Sequence, residues 1–273
     1  MKILALDSSG LVATVAIIED NIMRAEYTIN YKKTHSQTLL PMIDEIVAMT
    51  DTDLSSIDAI AVAGGPGSFT GLRIGSATAK GLGLALEKPI INVPTVIGLA
   101  YNYEGYGELI CPMMDARRNQ VYTGVYSFEN GELVTFLAQC AISIEELVDQ
   151  LKDIMKTTGN EKRLLFLGDG VSVQRSYLEE ACPSAWKYHF APAHMNGQRA
   201  GALGSYAMKM WQKAAASADG ANGLNTEKDV DEMIMPDRID ERKKFGIETA
   251  AEHHPDYLRL SQAERERAER EKD

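Results

Sequence analysis

The sequence predicts an α/β protein of two lobes, each built from the same βββαβα unit. Three observations predict it. Strand-like and helix-like runs recur in one order in both halves. An aspartate ends the first strand of each half, at Asp7 and Asp115, and a later strand of each half runs into a Gly-bearing loop, at Gly64 and Gly168. The spacing repeats with the order: Gly64 lies 57 residues after Asp7, and Gly168 lies 53 after Asp115.

In the first unit, Lys2–Asp7, Val12–Glu19 and Met23–Ile29 read as a meander broken at Ser8-Ser9-Gly10 and Asp20-Asn21. His35–Thr50 carries Leu39, Ile43, Ile46 and Val47 at helical spacing, with Pro41 inside it, so that helix should bend in its first turns or start late. The strand Ala59–Gly64, a Gly-rich loop and the helix Thr70–Leu86 complete the unit. In the second, Leu109–Asp115, Gln120–Phe128 and Glu132–Cys140 form another meander. A helix Ser143–Met155 follows, opened by a capping box of Ser143 and Glu146. The strand Arg163–Gly168, the loop "GDG" and a helix from Ser172 to Ala181 close it. The lobes therefore divide as 1–105 and 106–213. Residues 214–252 read as a polar arm, with one short amphipathic helix around Asp229–Met235, and should be removable without loss of the core. The tail 253–273 ends in the solvated charge run "RERAEREKD".

Composition narrows the function. The 273 residues are 45% hydrophobic and 25% charged, with a formal net charge of −11. A chain that grips nucleic acid alone usually shows a basic patch. Here only Arg117-Arg118-Asn119 is locally basic, and it reads equally as an anion contact or a solvated hairpin turn. Cys111, Cys140 and Cys182 are odd in number and widely spaced, which argues against a disulfide framework or a zinc site and suggests a cytoplasmic protein. No apolar run reaches the length of a membrane span.

The stretch "GGPGSFTGLRIG" (Gly64–Gly75) raises the question of nucleotide. A Gly-rich loop entering a helix offers free N–H groups to an anion, but Thr70 stands where a third glycine is needed and no Gly-Lys-Ser/Thr follows. Another role fits better. Gly71, Gly75, Ala79 and Gly83 recur every four residues, and Ala77, Gly81 and Ala85 form a second small row. Interior glycine costs roughly 1 kcal/mol per residue relative to alanine, so close packing must offset it. One row is expected on the domain's own sheet and the other against a second helix. The row Gly71–Gly75–Ala79–Gly83 is assigned to the partner, with His35 and Leu39 on the same face. Gly75→Leu is then expected to spare the fold and block the partner.

The order of elements is that of the actin-like ATPase superfamily, with its ribonuclease H-like fold. Five stretches in order, "ILALDSSG", "HSQTLLPMIDEI", "GGPGSFTGLRIGSATAKGLGLAL", "PMMDARRNQVYTGVY" and "PDYLRLSQAE", resemble the TsaB (YeaZ) family, over roughly residues 1–210 and a patch near the end. The resemblance implies a non-catalytic scaffold in the making of threonylcarbamoyladenosine in tRNA. It implies pairing with TsaD, which holds the metal and transfers the threonylcarbamoyl group, and with the ATPase TsaE. In the resemblance, Asp7, Ser8, Asp115, Gly168 and Gly170 are remnants of a nucleotide site, with no cofactor expected on this chain alone. ATP or ADP and the metal belong to the partners, and tRNA is held mainly through the complex. Where TsaD carries its H-x-x-x-H metal motif, this chain has Thr95 and Leu99, neither able to bind as imidazole does. Asp169 stands where a second small residue is usual and would repel phosphate. Without its partner the small row is expected to pair with a second copy of itself. The competing reading is a small-molecule kinase or phosphatase of the same fold that uses Asp7 and Asp115.

Overall fold

A computed structural model of the chain describes residues 1–31, 34–159, 162–218 and 243–258. The first half contains β1 (Lys2–Asp7), β2 (Ala13–Glu19), β3 (Ile22–Ile29), α1 (His35–Met49), β4 (Ala59–Gly65), α2 (Phe69–Leu86), β5 (Ile90–Pro94) and α3 (Thr95–Ala100). The second contains β6 (Leu109–Asp115), β7 (Gln120–Glu129), β8 (Glu132–Ser143), α4 (Ile144–Thr157), β9 (Leu164–Leu167), α5 (Asp169–Ala181), β10 (Tyr188–Phe190) and α6 (Ala200–Ala218). A last strand, β11 (Ile247–Glu248), follows.

The two sheets run β11-β5-β4-β1-β2-β3 and β10-β9-β6-β7-β8. In both, the first three strands are antiparallel and the next two add in parallel on the other side of the first. The duplication read from the sequence is thus a duplication of topology. Each unit carries one more strand than the periodicity revealed, β5 and β10. Pro41 sits inside α1, which starts at His35, and the Ser143–Glu146 capping box opens α4.

The central strands are apolar on both faces because helices cover both. Along β1, Ile3 and Ala5 join a core with Leu203, Ala207 and Trp211 of α6. Their neighbours Leu4 and Leu6 point the other way, into a core with Leu39, Ile43 and Ile46 of α1 and Ala79 of α2. The second sheet repeats this. Cys111 and Met113 face Leu147 and Leu151 of α4, while Ile110 and Met114 face Val96 and Leu99 of α3. The first sheet draws on β1–β5 and β11 and the second on β6–β10, but their cores exchange helices: α3 covers the second sheet and α6 the first.

The arm 214–252 needs correction. Ala214 ends the α6 stripe at 2% exposure, and Ile247 and Ala250 are 1% and 6% exposed. Ile247 packs into the α6 core and Ala250 into the α1–α2 core. Ile247 pairs antiparallel with Ile91, so β11 closes the β5 edge. The chain then runs along α2, where the Lys80 ammonium donates to the carbonyls of Ala251 at 3.0 Å and His253 at 2.8 Å. Asp256 N–H donates to Gly64 O at 2.6 Å. Residues 243–258 are a strap across the first lobe, part of its core rather than an appendage. The short helix expected around Asp229–Met235 and the charge run "RERAEREKD" lie outside the described residues.

Ile247→Ala removes a fully buried side chain at the sheet edge. It should cost about 2–5 kcal/mol in a denaturant titration, whereas Leu84→Ala, at an exposed α2 position, should stay within about 0.5 kcal/mol.

Candidate functional site: the interlobe cleft and helix α2

The turn after β1 lies directly on the first turn of α2. Ser68 N–H donates to Ser9 O at 2.6 Å, and the Ser8 hydroxyl donates to Gly71 O at 2.9 Å. The Ser68 side chain caps the helix by accepting from Gly71 N–H at 3.3 Å. The Ser68 and Gly71 amides are therefore engaged within the lobe. A Cβ on Gly67 would lie 2.5 Å from Ser9 O, and one on Gly71 only 2.0 Å from Ser8 O. The glycines of this loop let the backbone of β1 and α2 touch.

The same geometry corrects the docking row. Gly71, Gly75, Ala79 and Gly83 are all buried. A Cβ on Gly75 would meet the Ser8 hydroxyl at 2.8 Å, with Val62 and Leu6 just beyond, and one on Gly83 would meet Ala250 at 2.8 Å. This row faces the chain's own sheet and strap, so Gly75→Leu would crowd the core instead of sparing the fold. Leu39, 1% exposed, is likewise core. His35, half-buried, reaches Gly10 O through Nε2 at 2.9 Å. The free row is the second one. Ala77, Gly81 and Ala85 are exposed, Leu84 beside them is 59% exposed, and nothing lies within 4 Å of a Cβ built on Gly81. The neighbouring α1 shows Leu40 and Met49, 55% and 73% exposed. The four-residue spacing revealed both rows, but small residues look alike whether the sheet or solvent lies opposite.

Between the lobes lies a cleft of ≈ 480 Å³ lined from both sides, by Ser9, Phe69 and Leu72 and by Asp115, Tyr122 and Asp169. Asp7 ends β1 but is 3% exposed and absent from the lining. Its Oδ1 accepts from Ser9 N–H at 2.7 Å, and burial pushes its carboxyl above the ordinary 3.8, only partly offset by the Ser9 hydrogen bonds. Asp115 faces the cleft and pairs with Arg117 at 3.4 Å. Arg117, Arg118 and Asn119 form the hairpin turn in left-handed backbone. Asp169 Oδ1 accepts from Asp115 N–H at 3.1 Å, and burial raises the Asp169 carboxyl too. Gly168, at φ 104°, has Met113 O within 2.1 Å of where a Cβ would lie, so only glycine fits. Its N–H donates to Asn196, to the backbone O and to Oδ1, both at 2.9 Å. A Cβ on Gly170 would also crowd Met113 O, at 3.0 Å. Of the positions expected around a nucleotide site, Asp115 lines this cleft, while Asp7, Ser8, Gly168 and Gly170 are outside its lining. The cleft also takes in Asp256, which nothing in its spacing marks.

The stretch aligned with a metal motif is packed core. Thr95 is fully buried and its hydroxyl accepts from Gly65 N–H at 3.0 Å. Leu99 is 1% exposed and packs with Met114 and Leu167. Among the described residues, no group of three His, Cys, Asp or Glu is placed to hold a metal, and no helix is long and apolar enough to cross a membrane.

Two lobes of this duplicated topology, with Asp115 at the cleft between them and Asp7 buried at the end of β1, define a protein of the actin-like fold class. Comparison with known proteins narrows the class. The family profile described as "TsaD: tRNA N6-adenosine threonylcarbamoyltransferase" matches residues 23–227. The tRNA threonylcarbamoyladenosine biosynthesis protein TsaB of Bacillus subtilis (strain 168) is 34% identical over 180 residues, covering 66% of this chain and 76% of the relative. TsaB of Escherichia coli (strain K12) is 37% identical over 134 residues, 48% of this chain and 58% of that one. The solved structure of YeaZ from Pseudomonas aeruginosa superposes with a TM-score of 0.65 at 22% identity, over 94% of this chain and 99% of that one. The chain belongs to the TsaB (YeaZ) family.

Two substitutions of one kind on one helix test the orientation of α2. Gly81→Ala should stabilise the chain by about 0.5–1 kcal/mol, the propensity gain alone. Gly71→Ala, with its methyl against Ser8 O, should destabilise it by about 1–3 kcal/mol or more. A pH series tests the buried aspartate. With its folded pKa raised above 3.8, Asp7 contributes most below that value and loses its contribution as pH rises through the folded pKa. Asp7→Asn keeps an acceptor for Ser9 N–H, so it should melt higher than the parent at pH 7, and the gap should close as pH falls toward 3.8.

Proposed function

We propose that this chain acts in the biosynthesis of threonylcarbamoyladenosine in tRNA, as the non-catalytic partner of a TsaD-type transferase. Membership of the TsaB family supports the pathway. The single observation that carries the scaffold role is the fate of the metal-motif positions. Thr95 spends its hydroxyl on Gly65 N–H and Leu99 fills the core of the second lobe. Both side chains are committed to packing, and neither is of a type that binds a metal as imidazole does. The modified nucleoside is the adenosine beside the anticodon in tRNAs reading codons that start with A.

The partner docks on the outer face of α1 and α2. Ala77, Gly81 and Ala85 let a helix approach nearer than the usual 8–10 Å between axes, while Leu84, Leu40 and Met49 supply exposed apolar surface. TsaD fills this face in the working complex, and TsaE joins the pair. The metal, ATP and most tRNA contacts belong to those partners. Without TsaD, a second copy of the chain covers the same face and gives a symmetric homodimer.

Gly81→Leu fills the centre of this face without touching the chain's own core. It should weaken TsaD binding in a calorimetric titration by about tenfold to a hundredfold, while the free chain melts no lower than the parent. Full-affinity binding by Gly81→Leu would place the interface elsewhere.

A further inference from the structure

The outward row of α2 has the strap for a neighbour. The Lys80 ammonium donates to the strap carbonyls of Ala251 and His253 at 3.0 and 2.8 Å. Residues three and four apart on a helix lie side by side, which sets Lys80 next to Ala77 and Leu84. Arg73, four residues before Ala77, lies 4.0 Å over the Phe69 ring, and its Nε donates to the Tyr257 hydroxyl at 3.4 Å. Tyr257 in turn packs its ring on Phe69, with centroids 4.8 Å apart. The strap therefore runs as a ridge along one flank of the small residues Ala77, Gly81 and Ala85. Its residues Ala251, Glu252, His254 and Tyr257 remain exposed.

Charge divides this surface between its two helices. Apart from His35, the ionisable residues of α1 are Asp44 and Glu45, and those of α2 are Arg73 and Lys80. None of these four has an ion pair among the described residues, whereas every lysine and arginine of α4, α5 and α6 has one. The unpaired cations lie on the helix that carries the strap, and exposed His254 adds an imidazole there. A complementary partner brings carboxylates to that side. We propose that the strap is one wall of the docking face. The partner helix over Ala77, Gly81 and Ala85 also packs along the strap, with small or apolar residues toward the row and an acidic side chain toward Arg73, Lys80 and His254. This inference rests on the α1–α2 docking reading and extends that surface onto a segment outside both helices.

Calorimetric titration of the full chain with TsaD tests it, with thermal melting to show that each variant folds. His254→Glu puts a carboxylate on an exposed strap residue. It should weaken binding by about threefold to tenfold, more at low salt, with the melting temperature unchanged. Lys80→Met keeps the stem but releases the strap carbonyls, and should weaken binding by about tenfold. His194→Glu, the same change at an exposed histidine ahead of α6, should bind as the parent does. Weak binding by Gly81→Leu together with parental binding by His254→Glu and Lys80→Met would overturn the strap as a wall and leave the α1–α2 face standing. Parental binding by all three would overturn both. Equal loss from His194→Glu and His254→Glu would reduce the effect to net charge and overturn the inference as well.

Discussion

The contact of the β1 turn with the first turn of α2 is the constraint on which the rest of the structure depends. The Ser9 carbonyl accepts from Ser68 N–H, the Ser8 hydroxyl donates to Gly71 O, and a Cβ on Gly71 would collide with Ser8 O. That contact fixes how α2 is rotated about its axis. With Gly71 held against Ser8, the residues at intervals of four, Gly75, Ala79 and Gly83, must face the sheet and the strap. Ala77, Gly81 and Ala85, about a third of a turn around the helix, must then face outward. The same contact engages the Ser68 and Gly71 amides at the start of the helix. One packing decision thus sets which row of α2 is buried and which faces outward.

The cleft shows the second consequence. Asp7 has been drawn into the lobe, where burial raises its carboxyl and hydrogen bonds from Ser9 hold it. Asp115 and Asp169 stay at the cleft, joined through the Asp115 amide. Carboxylates packed this closely are costly unless something positive meets them, and Arg117, largely in solvent, meets only one.

Much of the fold was legible in the sequence because alternation and helical spacing are local signals. The paired meanders, the Ser143 cap and the position of Asp115 at the end of a strand all follow from them. What stayed hidden was non-local. The α6 stripe of Leu203, Ala207 and Trp211 announces a buried helix, but not that it lies on the sheet of the other lobe. The strap was mistaken for an appendage because β11 has two residues and is held by pairing with Ile90 and Ile91, which leaves no periodicity. Both small rows of α2 were visible, and the wrong one was assigned to the partner. Choosing between them needed the position of Ser8, which lies 63 residues before Gly71.

Hydrogen exchange of the full chain, alone and with TsaD, tests the central claim that α2 builds the lobe with one row and receives the partner with the other. Amides of α1 (His35–Met49) and the second half of α2, around Gly81 and Ala85, should slow on complex formation. Those lining the interlobe cleft, Ser9–Leu11 and Asp169–Val173, should keep their free-chain rates. Slowing confined to the cleft, with α1 and α2 unchanged, would contradict the account.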